Sequence, residues 1–154
     1  MNASPKDTLG ITITRTARLW RTKLDERLAH LGLTQAKWLV LIHIHRTGGE
    51  MSQKDIAQSV GVEGPTMVRV LDGLERIDLV RRVGHEGDRR VKFVRLTDKA
   101  GDVIEEIMRI GAGLRAEALT GLSDEDLVFL DQVMGTIFRN LEALAAKDSR
   151  LMRT

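Results

Sequence analysis

The sequence predicts a mainly α protein with a small β-wing, an α+β winged helix-turn-helix set between long N- and C-terminal helices. Three observations predict it. Two short helical segments lie back to back around Gly61. Two short β-branched runs follow, 79–83 and 91–96, flanking the polar loop Gly84-His85-Glu86-Gly87-Asp88-Arg89-Arg90. Long amphipathic stretches lie on both sides. A helix of that size suits the major groove of duplex DNA and an arginine-tipped hairpin suits the minor groove, so residues 52–97 read as one DNA-reading device.

The first helix is expected over 8–30, because Ile13, Ala17, Trp20, Leu24, Leu28 and Leu31 recur at steps of three and four. Gly32 ends it, and 2–6 reads as a loose tail. A second helix follows Thr34 as N-cap and runs to Arg46. It is apolar nearly all round (Ala36, Trp38, Leu39, Val40, Leu41, Ile42, Ile44), which predicts a central, buried element. Thr47-Gly48-Gly49 breaks it.

Ser52-Gln53-Lys54-Asp55 resembles a capping box opening the third helix, whose packed face is Ile56, Ala57 and Val60. Gly61 supplies the left-handed residue of a tight turn. The fourth helix starts near Gly64-Pro65, with proline tolerated in the first turn. Met67, Val68, Val70, Leu71, Leu74 and Ile77 are expected inside. Thr66, Arg69, Gly73 and Arg76 form a narrow polar arc on the other side. The two β-branched runs then pair as strands. Thr97 is expected to cap a fifth helix with the stripe Val103, Ile104, Ile107, Ile110 and Leu114, ending near Thr120-Gly121. Ser123-Asp124-Glu125-Asp126 is a second capping box. It opens a sixth helix carrying Leu127, Leu130, Val133, Met134, Ile137, Leu141 and Leu144. Residues 147–154 read as frayed.

The 154 residues suit one compact subunit, with 42% hydrophobic and 30% charged side chains. No stretch is long and apolar enough for a membrane helix, and the N-terminus lacks a signal-peptide pattern, so a cytoplasmic, nucleoid-associated protein is expected. With no cysteine there is no disulfide, thiol sensor or Cys-ligated zinc. The net charge is only +2, but 79–95 holds Arg81, Arg82, Arg89, Arg90, Lys92 and Arg95 against Glu86 and Asp88, six positive less two negative, a local +4. Such a patch suits phosphate binding; a solvated basic hairpin is the plainer reading.

The terminal helices lie outside the winged block in sequence, and that block has apolar residues for a core of its own. The organisation expected is therefore 1–33 and 98–154 as dimerisation helices around a 34–97 winged helix-turn-helix DNA-binding domain. A homodimer presents two reading heads to a palindromic site. Gly111 and Gly113 weaken the fifth helix, for a close crossing at the dimer interface, for a bend or as a tolerated flaw.

The order of elements, the motif Asp88-Arg89-Arg90 and the following Leu96-Thr97 resemble the MarR family of bacterial transcription regulators. The stretches Arg18-Leu19-Trp20-Arg21, Leu33-Thr34-Gln35 with Trp38, and 65–72 (Pro-Thr-Met-Val-Arg-Val-Leu-Asp) are similar to its SlyA-like branch. The resemblance covers roughly 8–145. It implies a homodimer on pseudo-palindromic promoter DNA, acting as repressor or activator, with release by small aromatic carboxylates. No cofactor is expected.

Residue roles follow from it. Arg69 matches the base-reading position, where a guanidinium bonds guanine bidentately or clamps a phosphate. Pro65 and Thr66 stand at the helix start; Pro65 either contacts a thymine methyl or is a plain first-turn proline. Ser52 and Gln53 are phosphate contacts, Ser52 being a cap first. Arg89 matches the wing tip and is expected in an A·T-rich minor groove. Asp88 and Arg90 are expected to pair and shape the wing, with Arg90 also counted among the DNA-facing cations. Lys92 and Arg82 are either phosphate contacts or solvated. Arg76 either faces DNA or pairs with Asp72. Arg18 and Trp38 match positions lining a ligand pocket, where a cation and an indole suit an aromatic carboxylate. The alternatives are core packing for Trp38 and, for Arg18, a pair with Asp25 or a neighbouring chain. Ile42 stands where SlyA-like relatives often have histidine, a departure that weakens a salicylate-type site.

His43 and His45 do not share a helix face, and no acidic or histidine cluster has metal spacing, so no metal is expected. Enzyme chemistry is not expected either: there is no cysteine, tyrosine, phosphate loop or nucleophile elbow. The competing class is a winged helix used for protein contact without specific DNA binding.

Overall fold

The computed structural model describes residues 4–84 and 92–151. In chain order the elements are α1 (Pro5–Leu28), a 3-10 turn (Ala29–Leu31), α2 (Gln35–Arg46), β1 (Glu50–Ser52), α3 (Gln53–Val60), α4 (Gly64–Arg76), β2 (Val80–Gly84), β3 (Lys92–Leu96), α5 (Ala100–Ala118) and α6 (Asp124–Leu151). Among the described residues the strands form one antiparallel sheet in the order β1-β3-β2. The expected winged helix-turn-helix is there, mainly helical with a small sheet.

The chain divides into two compact units, Met1–Arg115 and Ala116–Thr154. In the first, one apolar core joins the winged block to its flanks. Leu28 of α1, Val40, Leu41 and Ile44 of α2, Ile56 of α3, Met67, Leu71 and Leu74 of α4, Val80 and Val94 of the sheet, and Ile104 and Ile107 of α5 all belong to it. The winged block therefore does not close a separate core of its own. Burying its apolar surface requires the end of α1 and most of the α5 stripe.

Helix boundaries depart from expectation where a cap acts. α1 begins at Pro5, not residue 8, because Ser4 accepts from the Lys6 N–H (3.3 Å) and Asp7 accepts from the Ser4 N–H (3.1 Å). Thr97 does not cap α5. Its hydroxyl donates to the carbonyl of Asp78 (2.6 Å), and the helix starts three residues later at Ala100. Asp78 is held at φ 58, a left-handed conformation that Asp tolerates better than most residues. β1 has no counterpart in the sequence reading. Its three residues are too few to show alternation, and it exists because Met51 pairs with Val94 across the sheet.

In the second unit, α6 opens with a complete capping box. Ser123 accepts from the Asp126 N–H (3.1 Å), and Asp126 accepts from the Ser123 N–H (2.9 Å). These bonds hold the Asp126 carboxyl below its usual range. The helix continues to Leu151, past the expected fraying at 147. It exposes large apolar side chains along its length, including Phe129 (68%), Phe138 (62%), Leu141 and Leu144.

Candidate nucleic-acid interface

The site is built on α3, the turn and α4. Ser52 caps α3 by accepting from the Asp55 N–H (3.1 Å) and donates its hydroxyl to the Asp55 carboxylate (2.6 Å). Gly61 (φ 74) turns the chain, its N–H donating to Ala57. α4 then starts at Gly64 with Pro65 in its first turn. Met67, Leu71 and Leu74 are fully buried, while Pro65, Thr66, Arg69 and Arg76 are exposed on the opposite side. Val68 (40% exposed) and Ile77 were expected inside and are not. They lie at the margins of an apolar face that Met67, Leu71 and Leu74 already fill.

A cleft of about 500 Å³ lies where α3, α4 and β3 meet, lined by Ser52, Gln53, Lys54, Ala57, Gly64, Met67 and Lys92. It brings together three residues expected to touch phosphate, Ser52, Gln53 and Lys92. Lys54 was missed, because one lysine in a first turn carries no pattern of its own. The cleft collects the N-terminal ends of two helices, whose unpaired N–H groups and dipoles favour an anion.

The basic patch is more neutralised than its sequence count suggests. Arg82, read as a phosphate contact, is turned against α4. Its guanidinium bonds Glu75 (2.6 Å), Asp72 (2.6 Å) and the Val68 carbonyl (3.3 Å). That geometry uses its donors on protein and also takes Asp72 away from Arg76. Arg81 and Arg95 stand directly opposite on β2 and β3. Each turns to an acid, Arg81 to Asp78 (3.4 Å) and Arg95 to Glu50 (2.7 Å), as like charges facing across a sheet require. Asp88, Arg89 and Arg90 at the wing tip lie outside the described residues.

The residues expected around an effector are dispersed. Trp38 is 5% exposed, and its indole N–H donates to Asp25 (2.8 Å). Asp25 is therefore Trp38's partner, not Arg18's. Arg18 is exposed on α1, lining a shallow groove with Gly10, Ile11, Thr14 and Arg15, and Ile42 is half-buried on α2. His43 has its pKa lowered by burial and by Arg46. Among the described residues no group of acidic and histidine side chains could hold a metal ion, and no helix is long and apolar enough to cross a membrane.

The MarR family model matches residues 31–91, which hold α2, the helix-turn-helix and β2. The solved transcriptional regulator PA3341 is 47% identical over 88% of this chain and 98% of its own, with a TM-score of 0.82. The chain belongs to the MarR family. Its fold is shared at lower identity by AbsC, a MarR family transcriptional regulator from Streptomyces coelicolor (23% identical, 93% of this chain, 98% of that chain, TM-score 0.80). It is shared also by NadR, solved in complex with 4-hydroxyphenylacetate (20% identical, 88% of this chain, 93% of that chain, TM-score 0.74). PA3341 and AbsC are both transcriptional regulators.

Proposed function

We propose that this MarR-family protein is a sequence-specific, DNA-binding transcriptional regulator acting as a homodimer on pseudo-palindromic promoter DNA. The carrying observation is the face of α4. Pro65, Thr66, Arg69 and Arg76 are exposed together, opposite Met67, Leu71 and Leu74 that lock the helix in the core. A helix so held presents a fixed row of donors to a major groove, with Arg69 reading a base edge. The cleft of Ser52, Gln53, Lys54 and Lys92 takes a phosphate, and the wing between β2 and β3 carries Arg89 to the minor groove, shaped by Asp88 and Arg90.

Dimerisation is assigned to 1–33 and 98–154. The exposed apolar side chains of α6, together with Leu9, Ile11 and Leu19 on α1, support it, since a monomer rarely leaves so much apolar surface wet. The SlyA-like branch and release by a small aromatic carboxylate belong to the same proposal. NadR's complex with 4-hydroxyphenylacetate supports the ligand class, and the exposed Arg18 is the cation offered to it.

A fluorescence-anisotropy titration tests this, using the upstream promoter duplex and a scrambled duplex at two salt concentrations. Preference for the promoter with steep salt dependence is expected. Equal weak binding to both duplexes removes sequence reading. No binding at low salt moves the chain to a protein-contact module.

A further inference from the structure

Gly73 lies on the polar arc of α4, four residues after Arg69. A glycine inside a helix costs stability relative to alanine, so its position calls for a reason. A Cβ built there would stand 2.8 Å from Lys37 Cε and 3.1 Å from Lys37 Nζ. The Lys37 side chain therefore leaves α2 and lays its end against α4 at Gly73, a position that helical spacing puts in the arc of Thr66, Arg69 and Arg76. Long lysine stems often lie along such a surface with the charge carried to its edge. Among the described residues, no hydrogen bond or ion pair engages the Lys37 ammonium. The nearby acid on α4, Asp72, is already held by Arg82 at 2.6 Å.

We propose that Lys37 is a DNA-phosphate contact delivered to the recognition face from α2, the end of its side chain lying against α4 at Gly73. This rests on α4 being the DNA-reading helix. A helix seated in the major groove has a phosphate backbone along each flank, and a point-charge lysine suits a phosphate without reading sequence. Arg82 neutralises the acids on one flank of α4, and Lys37 supplies a cation on the other. The arc thus meets duplex DNA without an opposing charge from Asp72.

The test uses the full chain and a fluorescein-labelled mixed-sequence duplex, read by anisotropy over a salt series, because a phosphate contact acts on any sequence. Lys37→Gln is expected to weaken binding several-fold and lower the magnitude of the log–log salt slope by about 0.9. Gly73→Ala keeps every charge, and the flexible end of Lys37 swings clear of the added methyl; it is expected to bind like wild type with an equal or higher Tm. Lys23→Gln, which breaks a pair with Glu26 on α1, serves as the control and is expected to bind like wild type. Wild-type binding and salt slope in Lys37→Gln, beside a weakened Arg69→Ala, overturn the role of Lys37 alone. Wild-type protein that binds no duplex at low salt overturns the DNA-binding reading itself.

Discussion

Arg82 and Glu75 hold each other twice: the Arg82 N–H donates to Glu75 Oε1 (3.0 Å), and Arg82 Nη1 bonds Glu75 Oε2 (2.6 Å). One carboxylate thus takes both the backbone and the side chain of a single β2 residue. The other guanidinium nitrogen reaches Asp72 and the Val68 carbonyl. The root of the wing is fastened to the flank of α4, the two parts that must engage adjacent grooves together.

Arg82→Met is therefore expected to act on positioning. Promoter affinity falls, while the salt slope stays as in wild type, since no phosphate contact is removed. Stability falls by about 1–2 kcal/mol after allowing for solvent around the carboxylates, read by urea denaturation. A slope reduced by about one would return Arg82 to the phosphate contacts.

Arg69→Ala is expected to cost roughly 1–3 kcal/mol of discrimination between promoter and scrambled duplex if the contact is bidentate to a base. Equal loss on both duplexes would make Arg69 a phosphate clamp. Because Arg69 is exposed and outside the core, its Tm should match wild type.

Trp38→Phe keeps an aromatic ring but strands Asp25. A loss of about 1 kcal/mol is expected from the missing indole bond, measured by thermal or urea unfolding. If Trp38 is chiefly a core residue, affinity for an aromatic carboxylate changes less in this variant than in Arg18→Ala. The reverse order would place the indole against the ligand.

Asp126 gives a pH signature. Bonds from the Ser123 backbone and hydroxyl lower its pKa from an ordinary 3.8. A group whose folded pKa is depressed contributes stability that is fully present above the unfolded value and lost as pH falls through the folded one. The start of α6 should therefore hold at neutral pH and loosen only in acid below about pH 3.8. Carboxyl NMR should show Asp126 titrating below that value, and Ser123→Ala should bring it back toward it.

Local signals determined much from the sequence alone. Glycines in the left-handed region end or turn helices at Gly32 and Gly61, and the capping residues Ser52 and Ser123 start them, because these effects act within a few residues. The exposed arc of Thr66, Arg69 and Arg76 was legible for the same reason: helical spacing alone puts them together.

Tertiary structure alone decided where long side chains end and which charges cancel. Arg82 reads as one more basic residue until α4 folds Asp72 and Glu75 against it, and Arg81 and Arg95 until Asp78 and Glu50 meet them. Lys37 lies 36 positions from Gly73, and only the packing of α2 on α4 brings them into contact. Local pattern carries backbone conformation because that is set by neighbours in sequence. Charge pairing and side-chain reach depend on neighbours in space, which the shared core creates.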